Sequence, residues 1–351
     1  MDSLICNAWG ILNCRYFGYP FFVKFEITHR CNNKCNMCNR WMRASDKEEL
    51  SLAKIKAVAE NIKKLKVTDI SITGGEVFLR DDILDILKIF KDLGMRTRLQ
   101  TNGGPHVTPE LLDKVISLGV KSIGVSLHTL DTHQLNTITG KKDVMSNAIR
   151  TIEYLSKRIP WPIVNIVVTK MNIEEVPEII MFADRLGAYS HTIPISMPEK
   201  SCENKKISDY LKKASFEGIN PEVVDRVYNK LILMKKQGYR ILHSSRYLED
   251  CRRFIKDGNK KFNCYAGESF FVVLPDGTFR PCEMLELTHD ATSPDLISFL
   301  KSEEYSKKLK DLRKRCAGCE CGNYHEYSYI MEDNKVLVEG AIKQLLFKIK
   351  G

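Results

Sequence analysis

The sequence predicts an α/β fold, in which a partial (β/α)6 barrel of the TIM type is followed by a helical bridge and a small C-terminal unit built on a β-hairpin. Strand-like and helix-like apolar periodicities alternate along residues 22–200, which indicates parallel strands joined by right-handed crossovers. An open doubly wound sheet is the alternative for the same order of elements. In either architecture, chemistry belongs at the C-terminal ends of the strands.

The individual elements follow from local patterns. The strands are predicted at residues 22–28, 69–73, 96–101, 122–127, 163–169 and 191–196. The helices between them are predicted at 52–65, at 83–90, from Thr108-Pro109 onward, at 144–155, and from a cap at Asn172 to a stop at Gly187. In the later part, helices are expected at 205–216, from Asn220-Pro221 to Gly238, at 245–258, at 302–315 and at 336–349. Asp276-Gly277 marks the turn of a hairpin.

This order divides the chain into five segments. They are an N-terminal apolar extension (1–21), the barrel (22–200), the helical bridge (201–258), the hairpin unit with its cysteines (259–330) and a C-terminal amphipathic helix (331–351). We expect the extension to pack over the bottom of the barrel. The last helix has an apolar face that includes Val338 and Ile342, and it is expected to dock on the core, with contact to a membrane surface as the alternative.

Composition narrows the class of protein. The chain has 351 residues and lacks both a long apolar run and the basic region of a secretory signal, so we expect a cytoplasmic protein with no transmembrane segment. Its net charge of +10 is spread along helix faces, a pattern typical of a solvated surface. We do not expect nucleic-acid binding, because no RNA-binding or zinc-finger pattern accompanies the charge.

Cysteines carry the strongest chemical signal. The chain has 12 of them, and without an export signal they are expected to be reduced metal ligands rather than disulfides. Eight fall into two groups, one at 31–38 and one at 264–321. The other four are interpreted as small buried apolar residues: Cys6, Cys14, Cys202 and Cys251.

The first group directly follows the first predicted strand. Cys31, Cys35 and Cys38 are spaced CxxxCxxC, so three thiolates can converge from one loop onto three irons of a cubane cluster. No fourth cysteine lies nearby, which leaves one iron open for another ligand. A structural zinc site with His29 as fourth ligand is the alternative.

This spacing, with an apolar Met37 before the third cysteine and a β/α series after it, resembles the radical S-adenosylmethionine (radical SAM) superfamily. The resemblance implies that Cys31, Cys35 and Cys38 hold a catalytic 4Fe-4S cluster. The open iron would bind the methionine end of S-adenosylmethionine, and Met37 would lie near its adenine. Reduction then yields a 5′-deoxyadenosyl radical that abstracts a substrate hydrogen.

The resemblance also assigns residues at later strand ends. Gly74-Gly75-Glu76 matches the motif that receives the methionine amino group, and two glycines there permit close backbone approach. Thr101, Asn102, Ser126 and Thr169 are further cofactor-binding candidates, although a plain turn or strand position would explain each of them. Asn172 is at least as well explained as a helix cap. His128 is a candidate acid, base or substrate contact.

The second group brackets the hairpin. Cys264 and Cys282 lie on either side of it, and Cys316, Cys319 and Cys321 follow. A structural zinc ribbon is one interpretation. The order Cys264, Gly277, Cys282 and then a CxxC resembles the SPASM extension of radical SAM enzymes, or its shorter twitch form. That resemblance implies one auxiliary 4Fe-4S cluster acting as an electron conduit, and it leaves open which four of the five thiols bind it.

The first functional hypothesis is therefore a radical SAM oxidoreductase or maturase that oxidises or cross-links a peptide or protein, reduced by a flavodoxin- or ferredoxin-type donor. The sequence shows no leader-peptide domain before the barrel, which weakens the peptide hypothesis without excluding it. A dehydrogenase or epimerase of a small sugar-like molecule is the second hypothesis, and carbon–carbon bond formation on a lipid or nucleoside is the third. The non-enzymatic alternative is a zinc-stabilised scaffold that binds nucleic acid.

Overall fold

A computed structural model describes residues 3–44, 49–195, 212, 214–258, 262–316, 319 and 322–332. Its first six strands are β1 (Phe22–Thr28), β2 (Asp69–Gly74), β3 (Arg96–Thr101), β4 (Ser122–Ser126), β5 (Trp161–Val168) and β6 (Tyr189–Pro194). Each pairs in parallel with the next, as the alternating pattern predicts. The predicted partial barrel is thereby confirmed.

The helices of the barrel are α2 (Leu52–Lys64), α3 (Ile83–Asp92), α4 (Pro109–Ser117), α5 (Thr132–Thr139), α6 (Val144–Ser156) and α7 (Val176–Arg185), preceded by α1 (Ser3–Phe17). Helix α2 shows why they form, because Ile55, Val58 and Ile62 lie on one face and are fully buried. Ser51 caps its first turn by accepting a hydrogen bond from the Lys54 amide at 3.5 Å. Helix α5 was not predicted, since its sequence THQLNTIT offers few apolar residues.

Strand β5 shows how the two faces of the sheet differ. Its side chains alternate between fully and partly buried, and Val164, Ile166 and Val168 pack on the outer face under the helices. Asn165 and Val167 point the other way and border the interior of the barrel. The main core therefore lies between the sheet and its helices, and the interior is left for polar groups.

The C-terminal unit is joined to the barrel sheet, which the division into segments did not predict. Its strands are β7 (Phe270–Val273), β8 (Thr278–Arg280) and β9 (His289–Asp290), with the predicted turn between β7 and β8. Strand β7 pairs in parallel with β1, so the sheet has nine strands in the order β6-β5-β4-β3-β2-β1-β7-β8-β9. Strand β1 pairs with β2 along one edge and with β7 along the other.

The remaining helices are α8 (Pro221–Lys236), α9 (Ser245–Asp257), α10 (Leu296–Lys301), α11 (Glu303–Arg315) and α12 (Gly322–Glu332). Helices α8 and α9 match the predicted bridge, and the segment between them covers the edge of β6. There the Ser190 amide donates to Arg240 O at 2.7 Å, and the Leu242 amide donates to Ser190 O at 3.0 Å. Helix α12 was not predicted, and its Tyr327 ring packs 4.6 Å from that of Phe22.

Helix α1 lies at the N-terminal ends of β1 and β2. A Cβ on its Gly10 would meet Thr68 Oγ1 at 2.7 Å and Phe21 Cβ at 3.2 Å, and Ile11 and Cys14 are buried. None of the helices in the described part of the chain has the length and hydropathy needed to span a lipid bilayer. The predicted helices at 205–216 and 336–349, with Cys202 and Cys321, lie almost entirely outside the described residues.

Arg80 ties the end of β1 to the loops around it. Its guanidinium is 6% exposed and donates to Ile27 O at 3.1 Å, to Leu50 O at 3.0 Å and to both Asp82 oxygens. We predict that Arg80→Met lowers the free energy of unfolding by about 3 kcal/mol, because it leaves buried acceptors unpaired. Urea unfolding followed by circular dichroism measures this. Lys88→Ala is the control, since its ion pair with Asp92 is exposed and worth about 0.5 kcal/mol or less. Equal losses in the two variants would contradict the prediction.

Candidate active site

A cavity of about 400 Å³ opens where the C-terminal ends of the strands meet, and it continues into the interior of the barrel. Cavities of this size are typical of small-molecule sites. Most residues predicted for the site border it, from separate strands and loops. They are Cys31, Cys35, Met37, Cys38, Gly74, Gly75, Thr101, Asn102, Ser126 and His128.

The cysteine loop is held in place by α5, the helix that was not predicted. The amides of Lys34 and Asn36 donate to Thr139 O at 2.9 Å and to Ile138 O at 2.8 Å, at the end of that helix. These carbonyls have no partner within the helix, so the loop satisfies them. Trp41 Nε1 donates to Cys35 O at 3.3 Å. The loop is therefore fixed before any ligand is bound.

The three thiols form a donor set suited to iron. Burial raises the pKa of the Cys31 thiol to about 11 and raises that of Cys35 as well, and neighbouring thiolates add to both. Cations bound between them would offset this repulsion and release the protons. Three thiolates from one loop can bind three irons of a multi-iron cluster.

The Gly74-Gly75 turn packs directly on the backbone that leads into Cys31. The amides of Gly75 and Glu76 donate to Thr28 O and Arg30 O, each at 2.8 Å. A Cβ on Gly74 would lie 2.0 Å from Thr28 O, and Gly74 has a φ of +147°. Only glycine fits at this approach. The turn thereby brings its own backbone to the wall of the cavity.

Glu76 does not border the cavity, and its side chain is fully buried beneath the turn. The carboxylate accepts hydrogen bonds from Thr101 Oγ1 at 2.8 Å and from the Asn102 amide at 2.7 Å. Asn102 Nδ2 in turn donates to Asn32 Oδ1 at 2.6 Å. The carboxylate therefore positions the end of β3 against the cysteine loop. The resemblance had instead assigned Glu76 to direct contact with the cofactor.

Thr169 also lies away from the cavity. Asn172 Oδ1 accepts hydrogen bonds from the Thr169 amide at 2.8 Å and from its hydroxyl at 3.2 Å. Asn172 Nδ2 donates to His128 O at 2.7 Å, and its side chain makes no capping bond to the turn that follows. The cap predicted at Asn172 is thus wrong. The amide instead ties the end of β5 to the segment after β4.

His128 borders the cavity but is a poor acid or base. Its Nδ1 accepts a hydrogen bond from the Val167 amide at 3.2 Å, which places the proton of the neutral ring on Nε2. Burial lowers the pKa of His128 to about 4. The ring is therefore neutral near pH 7, and its position suits a hydrogen-bond contact rather than proton transfer.

The sequence analysis missed an ion cluster on the same cavity. Glu26, whose side chain is 3% exposed, accepts from Arg40 Nε at 3.0 Å and lies 3.2 Å from Lys24 Nζ. Glu283 pairs with Lys24 and lies 2.9 Å from Arg40. Arg40 follows Cys38 by two positions and Glu283 follows Cys282 directly. An ion-pair cluster thereby joins the loops of the two cysteine groups. The sequence signal for this cluster was the presence of charged residues inside the predicted strand 22–28.

The second cysteine group is gathered around Cys282. Burial raises the pKa of the Cys282 thiol far above its ordinary value, and the nearby charges of Cys264 and Cys316 raise it further. Cys319 packs against the same core, and its carbonyl accepts from His325 Nε2 at 2.6 Å. Cys264 and Cys316 therefore lie close enough to Cys282 for their charges to act on it. Cys321 lies outside the described residues.

Residues 25–183 match the profile of the Radical SAM superfamily. The AdoMet-dependent heme synthase of Methanosarcina barkeri is 25% identical over 314 residues, which cover 86% of this chain and 88% of that protein. A probable GTP 3′,8-cyclase of Pyrococcus abyssi is 28% identical over 218 residues, 60% of this chain and 70% of the cyclase. The crystal structure of Streptococcus suis SuiB has the same fold, with a TM-score of 0.66 at 16% identity, covering 87% of this chain and 72% of SuiB.

Fold, cavity and sequence profile together define a radical SAM domain within 25–183. The superfamily of this domain implies a 4Fe-4S cluster and S-adenosylmethionine as cofactors. The donor set of the first cysteine loop fits that cluster.

The packing of the Gly74-Gly75 turn gives a direct test. A Cβ on Gly75 would lie 2.2 Å from Arg30 O, so Gly75→Ala must displace the backbone that leads into Cys31. We predict at least a tenfold loss of 5′-deoxyadenosine formation from S-adenosylmethionine, because small displacements of reacting groups are costly. Gly119→Ala is the control for backbone strain alone, since Gly119 has a φ of +91° and its Cβ would meet no atom within 4 Å. Activity retained by Gly75→Ala would show that the turn does not position the loop.

The pKa of His128 predicts a pH dependence of stability. Because burial lowers the pKa from 6.5 to about 4, the unfolded chain binds the proton first as the pH falls. Stability is therefore full above pH 6.5 and falls by up to about 3 kcal/mol toward pH 4. His128→Asn keeps an acceptor for the Val167 amide without a titrating ring. Urea unfolding gives the free energy of unfolding of wild type and variant, and the difference between these two free energies should shrink as the pH falls. A difference that stays constant with pH would refute the lowered pKa of His128.

Proposed function

We propose that this radical SAM enzyme oxidises or cross-links a polar side chain of a peptide or protein, with an auxiliary 4Fe-4S cluster on the second cysteine group as electron acceptor. The observation that carries the proposal is the cavity itself, which is bordered both by Cys31, Cys35 and Cys38 and by residues adjoining Cys282. Those residues are Arg280, Glu283 and Met284. A substrate in the cavity would lie between the two groups of thiols.

The strand directions support this arrangement. Cys31 follows the C-terminal end of β1, at the mouth of the barrel. Strand β7 is parallel to β1, and β8 runs antiparallel to β7. The chain therefore approaches Cys282 while running toward the end of the barrel opposite its mouth. The two cysteine groups are thus offset along the axis of the barrel, with the polar interior between them.

When bound, the first cluster and S-adenosylmethionine would supply hydrogen-atom abstraction from the substrate, and an auxiliary cluster would supply an acceptor for the electron that the substrate gives up. Cys31, Cys35 and Cys38 would hold the first cluster. Gly74 and Gly75 offer backbone groups, and Asn102 and Ser126 offer side chains, for the polar end of the cofactor. Met37 offers an apolar surface. A flavodoxin- or ferredoxin-type protein is the proposed donor.

A small polar molecule is the second candidate substrate. The heme synthase that is similar over most of this chain and the similar cyclase are both named for small-molecule products or substrates. A cavity of about 400 Å³ also suits a small ligand. The polar interior disfavours the lipid substrate, because an alkyl chain would leave its amides and charges without partners.

The test uses the full chain reconstituted anaerobically with iron and sulfide. We predict about eight irons per wild-type chain and about four in both Cys31→Ala and Cys282→Ala. Reduced Cys282→Ala should still form 5′-deoxyadenosine, whereas Cys31→Ala should not, because only the first cluster binds the cofactor. Cys251→Ala, at a buried cysteine outside both groups, is the control and should match wild type.

Each part of the proposal fails separately. No 5′-deoxyadenosine from wild type would exclude the radical mechanism under these conditions. About four irons in wild type, unaffected by Cys282→Ala, would exclude the auxiliary cluster. For the substrate, a synthetic peptide library and GTP are compared for increased 5′-deoxyadenosine yield and for loss of two hydrogens by mass spectrometry. Stimulation by GTP alone would replace the peptide proposal with the second candidate.

A further inference from the structure

The interior of the barrel is polar to an unusual degree. Interiors of TIM-type barrels are generally filled with branched apolar side chains. Here polar side chains from all six of the first strands border the cavity, among them Lys24, Ser71, Gln100, Ser126, Asn165 and His191. Burying such groups costs free energy unless they have hydrogen-bond partners. A bound polar molecule is the natural source of further partners.

Three of these side chains form a connected chain across the sheet. Asn165 Nδ2 donates to Gln100 Oε1 at 2.6 Å, and His191 Nδ1 donates to Asn165 Oδ1 at 3.1 Å. The chain passes over Gly124, where a Cβ would lie 2.2 Å from Gln100 Oε1 and 2.4 Å from Asn165 Nδ2. Glycine is therefore required beneath it. The side chains are oriented by one another rather than by solvent, as a recognition surface requires.

Arg280 borders this cavity without a carboxylate partner among the described residues. The two carboxylates, Glu26 and Glu283, are already shared between Lys24 and Arg40. Arg280 Nε is buried and has no hydrogen-bond partner, and the guanidinium forms no salt bridge with any residue in the described ranges. Through Val272, which pairs with both residues, Arg280 lies in the same row of the sheet as Lys24. A guanidinium held there without an anion is costly.

We propose that Arg280 binds an anionic group of the substrate, a carboxylate or a phosphate, while the Gln100–Asn165–His191 chain faces its uncharged polar part. The guanidinium fork matches the oxygens of either anion in a bidentate geometry. This inference rests on the proposed function for the identity of the site, and it narrows the substrate to one that carries a negative charge. An acidic peptide and a phosphorylated small molecule both meet this requirement.

The first experiment measures binding, so it does not depend on radical chemistry. Glutarate and inorganic pyrophosphate serve as carboxylate and phosphate probes, and their binding to the reconstituted full chain is followed by isothermal titration calorimetry. We expect one of them to bind wild type and to bind Arg280→Gln at least about tenfold more weakly, the loss typical of a charge-assisted hydrogen bond. Arg226→Gln, at an arginine on α8 that is 62% exposed, is the matched control and should bind as wild type does.

Arg280→Lys distinguishes the two anions and guards against a folding defect. It keeps the charge but loses the fork, so it should retain most of the affinity for pyrophosphate and little of that for glutarate. Its iron content and melting temperature should match those of wild type. Failure of both probes to bind wild type, or equal affinity in Arg280→Gln, would overturn the proposal.

A second measurement separates the substrate from the cofactor. Without substrate, Arg280→Gln should bind S-adenosylmethionine and form 5′-deoxyadenosine at the wild-type rate. A tenfold drop in cofactor affinity would mean that Arg280 binds the carboxylate of S-adenosylmethionine, which would also overturn the proposal. Absence of 5′-deoxyadenosine from wild type itself would instead refute the proposed function and leave the probe result to stand alone.

Discussion

The charge of Glu26 must be neutralised inside the sheet, and much of the site follows from that requirement. Burial alone would raise the pKa of this carboxyl, yet Arg40 and Lys24 hold it well below its usual range. Arg40 comes from the loop of the first cysteine group and also pairs with Glu283, which adjoins the second. Removing one member of such a buried cluster generally costs 3–5 kcal/mol, about as much as a domain can lose. The two cysteine loops are therefore held together by electrostatics before any cluster is bound.

The sequence was sufficient for the barrel because each of its strands is specified locally. Strand β5 is rich in valine and isoleucine, and α2 repeats apolar residues every three or four positions. The CxxxCxxC loop is equally local, and so was the prediction that it lies at the mouth of the barrel. Gly74 and Gly75 border the cavity, as predicted, because the turn that follows a barrel strand lies at the mouth of the barrel.

What the sequence could not supply is pairing between distant residues. The parallel pairing of β7 with β1 joins segments about 250 residues apart, and no local pattern records it. Glu76 was assigned to the cofactor, but its carboxylate holds Thr101 and Asn102, a partnership set by the packing of β2 beside β3. Helix α5 was missed because its few apolar residues are outweighed by threonine, histidine and asparagine, and tertiary contacts decide its conformation. From the sequence alone, Arg280 is an ordinary strand residue, because only its neighbours in the fold show that it borders the cavity.

The bridge and α12 connect the interior of the barrel to the second cysteine group. The ring of His191, which borders the cavity, stacks at 4.6 Å on that of His243, which is buried in the bridge. The next residue along, Ser244, donates its amide to Glu326 on α12 at 2.6 Å. In the same helix His325 donates to the carbonyl of Cys319. Because these contacts are directional and at least partly buried, they connect Cys319 to the wall of the cavity at His191. Cys319 and that wall are thus parts of one packing arrangement.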